Sequence, residues 1–207
     1  MTTDKAPGEH YFSSHAGEEF QSHVISVTLA GRELSLETAG GVFSPEHLDT
    51  GTRVLLASVP EPPAIGNLLD IGCGWGPIAL ELALRSPEAT VWAIDVNQRS
   101  LELTRRNAAR AGCTNIRVCL PNEVPADLRF DAIWSNPPIR VGKAALHAIL
   151  QSWLPRLSAG AEGYLVVAKQ LGGDSLQTWL AETFTATEVE RVTTEKGFRV
   201  LRIAQAG

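Results

Sequence analysis

Asp70-Ile71-Gly72-Cys73-Gly74-Trp75-Gly76 decides the reading of this 207-residue chain. The apolar pair Leu68-Leu69 precedes it, and the helix-like run Pro77-Ile78-Ala79-Leu80-Glu81-Leu82-Ala83-Leu84 follows. The order is strand, glycine turn, helix. Glycines let a backbone pass close under a ligand, and the helix start behind them offers free N–H groups. The spacing is G-x-G-x-G, shorter than the G-x-G-x-x-G of a dinucleotide site.

Outward from this turn the chain alternates. Strands are expected at 67–71, 90–95, 115–120, 130–135, 161–168, 186–193 and 198–204, and helices at 77–85, 98–111, 142–157 and 174–184. Such alternation predicts an α/β fold with a mostly parallel sheet covered on both faces. Thr194-Glu195-Lys196-Gly197 leaves no room for a helix, so the last two strands should form an antiparallel hairpin. Upstream, Val24 to Glu37 alternates around Ala30-Gly31 and reads as a separate hairpin. Gly40 to Ser44 reads as a loop or short strand, and Pro45 to Val59 as a helix ended by Pro60-Glu61-Pro62-Pro63. This divides the chain into an N-terminal extension, residues 1–60, packed on a core of residues 61–207, as one compact domain.

Apolar residues make up 44% of the chain, enough for a full core, and no apolar run reaches the ~18–20 residues of a membrane span. Met1 to Gly17 lacks the basic-then-apolar pattern of a signal peptide, which gives a cytoplasmic expectation. Cys73, Cys113 and Cys119 show no C-x-x-C spacing, so neither a metal site nor a disulfide framework is expected. The net charge of −5 does not advertise a nucleic-acid binder, but its distribution is uneven. Residues 1–51 hold two basic and eight acidic side chains, whereas residues 99–143 hold eight basic and four acidic ones. The basic middle reads either as a face for phosphates or, at Arg105, Arg106 and Arg110, as a solvated helix face.

The glycine turn resembles motif I of the class I methyltransferases that use S-adenosylmethionine. Asn136-Pro137-Pro138, sixty residues on at the end of a strand, resembles the acceptor motif of N-methyltransferases. Further segments resemble the small-domain methyltransferases that include ribosomal RNA guanine-N2 enzymes: His10-Tyr11-Phe12, Gly41-Val42-Phe43-Ser44, Leu48-Asp49-Thr50-Gly51-Thr52 and Lys196-Gly197-Phe198-Arg199-Val200-Leu201. The resemblance implies a Rossmann-like sheet with a C-terminal antiparallel hairpin, S-adenosylmethionine as cofactor, and a guanine N2 amine of ribosomal RNA as acceptor. Those enzymes often carry another N-terminal domain, and this chain looks like the single-domain form.

The resemblance also implies roles. Gly72, Gly74 and Gly76 approach the methionine end of the cofactor, and Asp70 meets its amine. Asp95, ending the second strand of the core, accepts the ribose hydroxyls, or else caps the next helix. Asn122 is the candidate for the adenine amino group, or part of an ordinary turn. Trp75 and Val96 are apolar walls or core residues. The Asn136 side-chain oxygen and the Pro137 carbonyl accept the two N–H groups of the target amine, on a turn that the prolines stiffen. Pro138 and Ile139 border the substrate; Ile139 stands where relatives place a stacking Tyr or Phe, which leaves Phe43 and Tyr11 as candidates to face the base. Arg140 and Lys143 hold a phosphate or ribose, or are exposed charges. Competing readings are a protein glutamine methyltransferase, a small-molecule N-methyltransferase, and a binder that keeps the fold without catalysis.

Overall fold

The computed structural model describes residues 21–138 and 141–206. His10, Tyr11, Phe12, Ile139 and Arg140 therefore lie outside the described residues. A hairpin comes first, β1 (Ser22–Leu29) and β2 (Arg32–Ala39). Then follow α1 (Thr50–Ser58), β3 (Asn67–Ile71), α2 (Pro77–Arg85), β4 (Thr90–Ile94), α3 (Gln98–Ala111) and β5 (Ile116–Cys119). The second half holds β6 (Phe130–Ser135), α4 (Lys143–Trp153), β7 (Leu157–Ala168), α5 (Gly173–Thr183), β8 (Thr187–Glu195) and β9 (Phe198–Gln205).

Seven strands form one sheet in the order β5-β4-β3-β6-β7-β9-β8. The five strands from β5 to β7 are parallel, and β9 pairs antiparallel with both β7 and β8. The strand order reverses between β3 and β6, so their carboxyl ends flank the crevice where open α/β sheets take ligands.

Strand alternation sorts the core into two layers. Leu68, Val91, Ala93, Ala132, Trp134, Val166 and Val200 face α1, α2 and α3. Leu69, Ile71, Ile94, Ile133, Leu165, Val167 and Leu201 face α4 and α5. Successive side chains of a strand point to opposite faces, so a sheet buried on both sides needs continuous apolar runs, as 67–71 and 130–135 supply. On the second face His147 of α4 stacks on Trp179 of α5, with ring centroids 3.5 Å apart and planes 14° from parallel.

The hairpin forms a third layer outside α2 and α3. Ala30 and Gly31 take φ values of 47° and 71°, the two left-handed residues of a tight hairpin turn. Val27, Leu29 and Leu36 pack with Trp75, Leu80, Leu103 and Ala108. Glu37 pairs with Arg110 at 3.0 Å and Arg106 at 3.5 Å, and Arg99 donates to the Gly40 carbonyl at 2.7 Å. Apolar burial holds this layer more firmly than charge does. A fully buried leucine contributes about 1.5–3 kcal/mol, against about 0–1 kcal/mol for a solvent-facing ion pair.

Three expected boundaries move. Residues 45–47 are bends, and α1 starts at Thr50, because Asp49 accepts from Thr52 N at 3.0 Å and caps the helix there. β7 begins at Leu157 rather than residue 161, and α4 ends at Trp153 before a single tight turn, Leu154–Arg156. Among the described residues no helix is long and apolar enough to cross a membrane.

Candidate functional site

A cavity of about 740 Å³ opens at the carboxyl ends of β3, β4 and β6, within the ~300–1,000 Å³ of small-molecule sites. One wall carries Gly72, Gly74, Asp95, Val96 and Asn97; the other carries Asp49, Asn136, Pro137, Pro138 and Phe198. Phe43, Val96, Val141 and Leu171, all more than half exposed, lie on its lining as large apolar side chains.

The glycine turn is held from below and beside. Gly72 and Gly74 have φ values of 74° and 58°, and a Cβ on Gly74 would meet nothing within 4 Å. Gly72 N and Cys73 N both donate to the Ile94 carbonyl at 2.9 Å, tying the turn to β4. Asp95 Oδ2 accepts from Gly74 N at 3.0 Å, and Oδ1 from Asn97 N at 2.8 Å. The side chain of Asn97, not of Asp95, caps α3 by accepting from Arg99 N at 2.9 Å. Asp95 is thus placed on the cavity wall and is not the capping residue.

Asp70 lies behind that wall rather than on it. Its carboxylate is fully buried, Oδ2 accepts from Ala79 N at 3.0 Å, and Oδ1 has no hydrogen-bond partner. Burial raises its pKa well above the ordinary 3.8, against the Ala79 bond and together with the nearby Asp95 charge. Gly76 is also off the wall: its φ is 97°, and a Cβ there would sit 3.1 Å from the Thr104 side chain. It lets α2 start without a side-chain cap while α3 packs close. Trp75 is a core residue, buried under the hairpin and donating Nε1–H to the Ser44 carbonyl at 3.2 Å. Burial raises the Cys73 thiol pKa well above its usual value and disfavours the thiolate.

Across the cavity, Ser135 Oγ donates to the Ile71 carbonyl at 2.6 Å and locks the end of β6 against β3. Asn136 follows, half-buried. Its Nδ2 donates to Asp49 Oδ2 at 2.9 Å and to Thr52 Oγ1 at 3.0 Å. A carboxylate only accepts, so the amide NH2 must face Asp49, and Oδ1 faces away from it. Asp49, Gly51 and Thr52 work together here: a Cβ on Gly51 would approach the Phe198 ring to 2.8 Å and Asp49 Oδ2 to 3.0 Å.

Other candidates separate from this cluster. Asn122 is exposed and absent from the lining; Glu123 folds back to accept from Leu120 N at 2.7 Å, and the resulting tight turn puts Pro121 on the wall instead. Lys143 is exposed at the first turn of α4 and does not line the cavity. The basic run is largely engaged within the fold. Arg105 donates to the Val118 carbonyl, Arg106 and Arg110 reach Glu37, Arg117 lies 5.5 Å over the Trp92 ring, and Arg129 donates to the Pro155 carbonyl. Asn97 and Gln170 are lining residues that the motifs did not single out, and Asp49 stood within the segment Leu48-Asp49-Thr50-Gly51-Thr52 without a role of its own. Asp49 had a signal in the sequence, an aspartate three residues before a threonine at the start of an apolar run.

The residues fit S-adenosylmethionine. Open backbone at Gly72 and Gly74 gives room for close approach, Asp95 presents a carboxylate to the cavity, and the buried Asp70 Oδ1 lacks a donor near the turn. Among the described residues no group of His, Cys, Asp and Glu could hold a metal ion.

Comparison with known proteins gives the family. The chain is 36% identical over 197 residues to the uncharacterized protein YbxB of Bacillus subtilis, covering 94% of this chain and 97% of that one. It is 33% identical over 178 residues to ribosomal RNA small subunit methyltransferase C of Klebsiella pneumoniae, covering 84% of this chain and 51% of the relative. The enzyme of that name from Aeromonas hydrophila matches at 37% over 126 residues, 60% of this chain and 36% of the relative. This chain therefore spans from about a third to half the length of those two named enzymes. Its fold is similar to that of the T. thermophilus 16S rRNA N2 G1207 methyltransferase (RsmC), a structure in complex with AdoMet and guanosine. The TM-score is 0.76 at 23% identity, over 89% of this chain and 50% of that one. The model of the methyltransferase small domain family matches residues 33–202, and the chain belongs to that family, a methyltransferase whose cofactor is S-adenosylmethionine.

Proposed function

We propose that this protein transfers the methyl group of S-adenosylmethionine to the exocyclic N2 amine of a guanine in ribosomal RNA. The observation that carries this reading is the Asn136-Pro137 turn, which shares one cavity with the glycine turn and Asp95. The relatives named for ribosomal RNA methylation support the choice of acceptor.

On this reading Asp95 holds the ribose hydroxyls, Gly72 and Gly74 admit the methionine end, and Asp70 acts on the amine from behind the turn. When bound, the cofactor supplies a methyl carbon on a cationic sulfur that leaves as a neutral thioether. An exocyclic amine is a poor nucleophile because its lone pair is delocalised into the ring. Asn136 Oδ1 and the Pro137 carbonyl each accept one of its N–H groups, which turns the lone pair toward the methyl carbon. Both acceptors are fixed before the reaction and need no reorganisation during it. The proton then leaves the methylated nitrogen to water, so no side chain is assigned as base. The target base must leave its stack to reach this cavity. Phe43 offers an exposed ring at the mouth, and Pro138 and Val141 add apolar surface there. Lys143 stands free to meet a backbone phosphate, whereas Arg106 and Arg110 are occupied by Glu37. A role for Arg140 beside Lys143 and for Ile139 beside the base belongs to the same proposal.

The test is incubation of purified protein with radiolabelled S-adenosylmethionine and unmodified ribosomal RNA, both naked and in assembled subunits. Nuclease digestion should place the label in N2-methylguanosine. Label confined to protein or to small molecules would replace this reading with the glutamine or small-molecule alternative.

A further inference from the structure

We infer that Asp49 is a positioning residue for methyl transfer: it fixes and polarises the Asn136 carboxamide so that Oδ1 is presented to the acceptor amine. The inference rests on the acceptor site proposed above. It begins with the hydrogen-bond inventory around one oxygen. Asp49 Oδ2 accepts from Thr52 N at 3.0 Å and from Asn136 Nδ2 at 2.9 Å. The first bond caps α1, and a serine or asparagine would serve the cap as well. The second reaches a residue 87 positions away, on the tip of a different layer, and the cap has no use for it.

A primary carboxamide can turn over about its terminal torsion, exchanging oxygen and nitrogen with little steric change. A flipped Asn136 would present two donors to an amine that itself donates, and the acceptor would be lost. Thr52 cannot prevent this alone, because a hydroxyl both donates and accepts. The Asp49 carboxylate accepts only, so it admits one orientation. Its charge also draws on the amide N–H groups and raises the electron density on Oδ1, as bonds in a chain polarise one another where water is scarce. That density grows useful as the amine becomes positive during transfer. The neighbourhood is built to hold the carboxylate still: Gly51 has no side chain, and the Phe198 ring fills the space against it.

The experiment compares wild type, Asp49→Ser, Asp49→Asn, Asn136→Ala and the double variant Asp49→Ser with Asn136→Ala. Readouts are methyl transfer to ribosomal RNA, cofactor affinity by calorimetry, thermal unfolding, and the Asn136 side-chain amide signals in nitrogen-15 NMR. Serine and asparagine keep the helix cap, so unfolding temperatures should hold. Asp49→Ser should lower kcat by about 10–100-fold, the range typical for partners that orient a reacting group, with cofactor affinity unchanged. Asp49→Asn keeps an acceptor but no charge and should fall between wild type and serine. In the Asn136→Ala background Asp49→Ser should cost nothing more, since it acts through Asn136. Full activity of Asp49→Ser, or an equal loss in both backgrounds, would overturn the inference. If wild type methylates no guanine at all, the functional reading fails and NMR still decides the anchor. The Asn136 amide protons should be inequivalent and protected in wild type and move toward solvent values in Asp49→Ser; signals that do not change would sink it.

Discussion

Asp49, the cap of α1, and Asp70, a residue of β3, both turn a carboxylate to the first turn of a helix, and the structure treats them oppositely. Each gives one carboxylate oxygen to an N–H of the first turn, Asp49 to Thr52 and Asp70 to Ala79. Asp49 is half-buried and its oxygen also holds Asn136. Asp70 is fully buried, and its other oxygen has no partner. One aspartate has used its spare capacity on a side chain of its own wall, Asn136. The other keeps an unsatisfied acceptor, at a cost, next to the glycine turn. On the proposed function, the acceptor side is held by bonds within the protein, whereas Asp70 behind the glycine turn keeps an oxygen for the cofactor amine.

The largest expected effect breaks the acceptor side. Asn136→Ala should lower the transfer rate by about 10²–10³, as removal of one preorganised polar group does, with cofactor affinity little changed. Single-turnover rates beside calorimetry separate the two. A loss of affinity with normal turnover would move Asn136 to the cofactor side.

Next comes the cofactor wall. Asp95→Ala removes charge-assisted hydrogen bonds of roughly 1.5–3 kcal/mol, about a tenfold to hundredfold loss of affinity. Because Asp95 also holds Gly74 N and Asn97 N, faster amide exchange at those two positions should accompany it. Calorimetry that shows unchanged binding would remove Asp95 from the site.

The two aspartates then separate by stability. Asp49→Ala deletes a cap and should cost about 0.5–2 kcal/mol in chemical denaturation. Asp70→Asn should do the reverse at neutral pH. The folded carboxyl holds its proton more tightly than the unfolded one. Stability therefore falls as pH rises from the ordinary value near 3.8 through the raised folded value. Asparagine removes that slope, so thermal unfolding across a pH series should show a flatter profile and a higher midpoint at pH 7. A variant that is less stable at pH 7 than the wild type would mean that the buried charge is better satisfied than its bonds indicate.

The smallest effect sharpens the comparison from outside the cavity. Glu37→Gln should weaken the hairpin contact by about 0.2–1 kcal/mol, and less at high salt. A larger loss would mean that ion pairs, not Leu29 and Leu36, hold that layer.

Most of the fold was legible because parallel strands buried on both faces must be apolar throughout, and glycine spacing marks the turn between β3 and α2. The start of α1 was not, since the apolar positions Leu48, Val54 and Leu55 suit a helix beginning at Pro45, and only the Asp49 cap excludes it. The charge asymmetry was visible, but not its resolution: Glu37 meets Arg106 and Arg110 some seventy residues later, a pairing that no local pattern reveals. In the site, Gly72, Gly74, Asp95, Asn136, Pro137, Pro138 and Phe43 gather on one cavity, whereas Gly76, Asn122 and Lys143 do not line it. Motifs show which residues recur at a turn. They do not show which of those residues support it from behind.

The His147–Trp179 stack gives the molecule an optical handle. Burial and the Lys143 charge lower the histidine pKa, so the ring is neutral through most of the physiological range. A protonated imidazole quenches indole emission, and a neutral one quenches far less. Trp179 fluorescence should therefore brighten as pH rises through that ionisation, and His147→Phe should remove the step. The opposite flank of α4 carries Ile149, Ser152 and Trp153 on the cavity lining. A ligand that shifts α4 by a fraction of an ångström alters ring overlap on its far side, and binding becomes readable in real time without a label.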